Sequence, residues 1–178
     1  MKYTTVIKVV TGLIVLILSP YWASSQSWYK QEILNEISVE FPNVPERTQV
    51  NPKVQSYDFI TECCAFSVGL VINAIEPYDQ YSKLSDTDKV KFTDAFLNNV
   101  AAGMIREGKQ HLISAANRQL GKLLIKEVVF SDKDPALKGS KKRYSALILF
   151  NNHLYTFSCW DRDDQPHQDE RKRFFQSI

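Results

Sequence analysis

The ten residues Cys64-Ala-Phe-Ser-Val-Gly-Leu-Val-Ile-Asn73 decide the fold. Phe66, Val68, Leu70 and Ile72 share one parity, the mark of a strand with one face in the core. Cys64 has the same parity and is expected to point inward, with Cys63 pointing the other way. Upstream, Val54–Ile60 reads as the partner strand of a hairpin, and Thr61–Cys64 falls at or near its turn. Earlier still, Ile37, Val39 and Phe41 alternate with Ser38 and Glu40, and Pro42 stops that strand. Residues 43–53 carry Pro45 and Pro52 and read as loop, with a short extended piece at Thr48–Val50.

Downstream the period changes. From about Asp86 to Glu107, Val90, Leu97, Val100, Ala101 and Met104 make one helical stripe, widened by Phe96 and Ile105. Ser85 and Asp88 form an approximate capping box, and Gly108 suits a left-handed C-terminal cap. Gln110–Gln119 and Leu123–Phe130 read as strands around a tight turn at Leu120-Gly121-Lys122. Residues 131–142 are a polar loop. Tyr144–Phe150, apolar on both faces, is a central strand. Asn151-Asn152 suits a two-residue hairpin turn, and His153–Trp160 returns. A short helix from about Pro166 closes the chain, with acids at its start, bases at its end, and Phe174 and Ile178 on one edge.

The first 25 residues, MKYTTVIKVVTGLIVLILSPYWASS, have the layout of a secretory signal peptide: Lys2 and Lys8, an apolar run to Leu18, then Ala23-Ser24-Ser25. An uncleaved anchor would need roughly 20 consecutive apolar residues, which this stretch lacks. Removing 25 of the 178 residues leaves 153, expected to form a single domain over 26–178. The removed piece takes two of the 22 basic side chains, leaving 20 against 20 acidic ones, so the mature chain is formally neutral. Neutrality gives no reason to expect a nucleic-acid partner. After cleavage no stable membrane span is expected, and the partner would be an unknown protein or a component of the cell envelope.

The order of landmarks is itself informative. Trp28 is followed by Ile37-Ser-Val-Glu-Phe41-Pro42, then the helix at 86–107, then Gly121 before Leu123–Phe130. Arg143-Tyr144 leads into Phe150-Asn-Asn-His-Leu-Tyr155, and Phe174-Phe-Gln-Ser-Ile178 ends the chain. This arrangement resembles exported bacterial domains of the PsbP-like (DcrB-like) class. The resemblance implies an α+β fold, an antiparallel β-sheet flanked by helices on both faces (an α/β/α sandwich). It carries over no catalytic, cofactor-binding or metal-binding residue, and the turn at 118–121 departs from it in holding one glycine where relatives often have two.

Side chains capable of chemistry are few. Cys63, Cys64 and Cys159 would enter an oxidising compartment. A disulfide between Cys159 and one of the adjacent pair, Cys64 being the inward candidate, would stabilise by about 3 to 5 kcal/mol; three buried thiols are the competing reading. Cys63 is then the candidate free thiol. His111, His153 and His167 sit in three separate elements, with no metal-binding spacing. Thiol catalysis on Cys63 would need His111 or His153 brought close by the fold. Asp161, Asp163 and Asp164 start like a calcium loop but lack its glycine and glutamate. Lys138-Gly-Ser-Lys-Lys-Arg143 reads as a solvated basic loop. The expectation is an exported, non-catalytic binding or accessory module without a cofactor. Two alternatives are a small-ligand or lipid carrier with a cavity between sheet and long helix, and a thiol-dependent enzyme built on Cys63.

Overall fold

The computed structural model describes residues 27–108, 110–132, 141–162 and 166–178. The expected export signal, most of the loop at 131–142, and Asp163 and Asp164 lie outside the described residues. Seven strands form one antiparallel sheet: β3 (Glu46–Asn51), β4 (Val54–Ile60), β5 (Cys64–Val71), β6 (His111–Leu120), β7 (Leu123–Ser131), β8 (Lys142–Phe150) and β9 (His153–Asp161). Their spatial order is β3-β4-β5-β9-β8-β7-β6. A separate two-stranded sheet pairs β1 (Tyr29–Ile33) with β2 (Ile37–Phe41). The described helices are α1 (Tyr78–Ser82), α2 (Asp86–Gly108) and α3 (Gln168–Gln176).

The helix-flanked sandwich expected from the resemblance is not what forms. Among the described residues strands dominate, with nine strands against three helices. One face of the large sheet is closed mainly by the β1–β2 ribbon, whose Ile33, Val39 and Phe41 are fully buried. Helix α3 adds one buried side chain there, Phe174. The ring of Phe174 lies 5.5 Å from Phe41 and 5.3 Å from Phe66. On the other face α2 lies over β7 and β8 and, among its described side chains, buries Thr93, Leu97 and Ala101. Its apolar stripe is narrow, and Val90, read as part of it, is half-exposed.

Phe66, Val68 and Leu70 are buried as their parity requires, but the long helix does not cover them. They pack with the ribbon and Phe174, whereas Leu97 and Ala101 meet Val128, Phe130, Leu147, Leu149 and Leu154 on the opposite face. The ribbon escapes sequence reading because β1 alternates poorly. Of Tyr-Lys-Gln-Glu-Ile, only Ile33 is buried.

Local signals elsewhere hold closely. β4 and β5 pair from Val54↔Val71 to Ile60↔Ala65. Ser85 caps α2 as expected, its Oγ accepting from the Asp88 N–H at 3.1 Å and donating to the Asp88 carboxylate at 2.7 Å. Asn151 and Asn152 turn the β8–β9 hairpin with φ of 46° and 64°, the left-handed values such a turn needs. Residues 46–51, expected to be mostly loop, form the edge strand β3. Every residue of β3 and of the opposite edge β6 is exposed.

Candidate functional site

Two regions qualify: a corner where sulfur and imidazole meet, and a cleft beside α2. The corner begins at the β4–β5 turn. Thr61 organises it, its backbone N–H donating to the Cys64 carbonyl at 2.8 Å. Its hydroxyl oxygen accepts from the Cys64 N–H at 2.8 Å and donates to the Cys64 carbonyl at 3.0 Å. The Arg162 N–H then donates to the Cys63 carbonyl at 2.8 Å, tying the turn to the end of β9. Because Cys63 lies in the turn and not in the strand, strand alternation does not govern it. Its side chain comes round to the side of Cys64, contrary to the opposite-facing expectation.

His167 immediately precedes α3. Its ring nitrogen and the sulfurs of Cys63 and Cys64 all lie within 4.8 Å of one another. Neither His111 nor His153 joins them. His153 instead accepts the Asn73 N–H at 3.2 Å, at the far end of β9. His167 is held in place by Asp161, whose carboxylate accepts its backbone N–H at 3.3 Å and pairs with Arg171 at 3.4 Å. That ion pair is largely withdrawn from solvent, and the Arg171 guanidinium stacks 3.8 Å from the centre of the Tyr144 ring. Asp161 is thus committed to positioning α3.

All three cysteines are free thiols. Cys64 and Cys159 are fully buried, on neighbouring strands and two register positions apart, since Cys64 faces Asp161 and Cys159 faces Phe66. The Cys64 thiol is held well above its ordinary value, first by its hydrogen bond to Cys159 and then by burial. Burial also raises the half-buried Cys63 thiol, partly opposed by the Thr61 hydroxyl 3.3 Å away. Both shifts disfavour the thiolate, which is the reactive form.

The cleft, of about 540 Å³, opens between the first turns of α2, helix α1, and the β6–β7 and β8–β9 turns. Tyr78, Tyr81, Val90, Leu123, Leu149 and Phe150 supply its apolar lining, with Lys89, Asp86 and Asn152 among its polar groups. Tyr81 and Thr93 share a 3.3 Å hydrogen bond across it. Tyr78, Tyr81, Phe92 and Phe96 form a chain of rings with successive centroids 5.9, 5.2 and 6.3 Å apart. Tyr78 and Val90 of the lining remain exposed, and so does Phe92 beside Tyr81.

The basic run at 138–143 is not wholly a solvated loop. Arg143 is in β8, sandwiched 5.6 Å from the Phe130 ring and 5.0 Å from that of Trp160, and burial lowers its pKa. No described helix is long and apolar enough to cross a membrane.

No family model and no curated protein matches the chain. Among solved structures it is similar to a protein of unknown function from Pseudomonas aeruginosa, PA94, titled a putative regulator. The TM-score is 0.42 at 8% identity, covering 85% of this chain and 95% of that one. At that level the likeness carries no functional argument.

Proposed function

We propose that this protein is an exported, non-catalytic binding module, and that it carries a small apolar or amphipathic ligand in the cleft beside α2. The supporting observation is the coincidence of a cleft of about 540 Å³ with a cluster of aromatic and aliphatic side chains left open to water. Leaving Val90 and Tyr78 of the cleft lining exposed forgoes burial worth about 25 cal/mol per Å² of apolar surface. A ligand with an apolar body would recover that term. Lys89, Asp86 and Asn152 offer polar contacts for one end of it, the usual division of labour in a small-molecule site. The raised Cys63 and Cys64 thiols favour binding over thiol chemistry.

The test is direct. Chain purified without detergent and extracted under denaturing conditions should release a defined apolar compound, seen by mass spectrometry at near-equimolar yield. Val90→Glu should abolish it while shifting stability by less than about 0.5 kcal/mol, because Val90 is at the surface. Equal recovery from Val90→Glu, or clean protein in both cases, would remove the carrier reading.

A further inference from the structure

We infer that Cys63, Cys64 and His167 form a three-coordinate site for a soft d10 cation, with copper(I) as the occupant it is built for. The three donor atoms already lie within 4.8 Å of one another. A metal at about 2.3 Å from each sulfur places donors ~4 Å apart, so small side-chain rotations complete the site without moving the backbone. The backbone is fixed beforehand. Thr61 grips the Cys64 peptide from both sides, Arg162 holds the Cys63 carbonyl, and Asp161 holds the His167 N–H. Such outer contacts set the orientation of metal ligands.

Donor type selects the ion. Two thiolates and one imidazole suit soft d10 cations, copper(I) and zinc(II) foremost. Zinc(II) at two thiolates and one imidazole would need a water to complete its tetrahedron, whereas copper(I) is complete with the three protein donors. Cys159 is outside the set of mutually close ligand atoms and contacts Cys64 from behind, as a hydrogen-bond partner. Cys64 is fully buried, while Cys63 and His167 are partly open, so an ion would reach the cluster from the Cys63 and His167 side. On binding, each cysteine forms a sulfur–metal bond and gives its thiol proton to solvent. No electron changes hands, because the metal arrives already reduced.

The test uses the full chain, oxygen-free, with ascorbate as reductant. Copper(I) is delivered from a chromogenic chelator whose absorbance reports what the protein removes. One equivalent should transfer, with a sulfur-to-copper charge-transfer band in the ultraviolet. Cys63→Ser and His167→Gln, both partly exposed and expected to fold, should each weaken binding at least a hundredfold. Cys159→Ser should stay within tenfold, and Val50→Glu on the exposed edge strand β3 should leave copper binding unchanged. Failure of wild-type protein to compete, full affinity in either ligand variant, or tighter binding of zinc(II) than copper(I) would each overturn the assignment. So would isolation of the chain with Cys63 or Cys64 in a disulfide to Cys159, since that consumes a ligand.

Discussion

Replacing Phe174 by alanine should cost far more than a nine-residue terminal helix suggests. Phe174 is fully buried and is the only side chain of α3 that is. Its ring touches those of Phe41, Phe66 and Phe175 at centroid distances of 5.5, 5.3 and 5.3 Å, joining the ribbon to the sheet. Truncating a buried phenylalanine costs about 3–5 kcal/mol, and each ring pair adds about 0.5–1.5 kcal/mol beyond area alone. The polar contacts of α3 do not make up the loss. Arg173 reaches Glu40 at 3.1 Å near the surface, where an ion pair is worth at most about 1 kcal/mol. Urea unfolding should therefore show a loss of at least about 3 kcal/mol. Amide exchange should show α3 unprotected while β5 and β9 keep their slow amides. A loss under about 1 kcal/mol, or an α3 as protected as before, would refute the claim that this ring is the main apolar anchor of the helix.

Two further outcomes can be checked separately. Tyr155 donates its hydroxyl to Glu36 at 2.5 Å, and burial together with that carboxylate raises its pKa above the usual tyrosine value. An acid raised in the folded state stabilises fully below about pH 10 and loses that contribution as pH climbs beyond it, so alkaline melting should be less steep in Tyr155→Phe than in wild type. Cys63 is likewise raised; its iodoacetamide labelling, followed by mass spectrometry, should climb about tenfold per pH unit and still be rising at pH 9, and a plateau below pH 8 would contradict it.

How far the sequence can be read depends on the range of the interaction. The β4–β5 hairpin, the Ser85 cap and the Asn151–Asn152 turn follow from neighbouring residues and appear where expected. The ribbon does not. Leu34 and Asn35 turn it with φ of 53° and 56°, but its burial comes from Phe66 and Phe174, far along the chain. The candidate site is a mixed case. Cys63 and Cys64 are conspicuous in the sequence, yet their third partner is His167, over a hundred residues away, and only the antiparallel pairing of β5 with β9 brings the two ends together. The run Arg162 to His167 directly after β9 was the available signal, since a strand beside Cys64 must deliver whatever follows it to the same corner.

Sequence alone therefore determined the described strands other than β1 and β3, the β8–β9 turn, the long helix and which side chains of β5 face inward, because side-chain alternation and capping act within a few residues. Tertiary structure decided which element covers which face, and that Cys63 shares a corner with Cys64 and His167. Those outcomes depend on how separate segments compete to bury the same apolar surface, and no local pattern records the result of that competition.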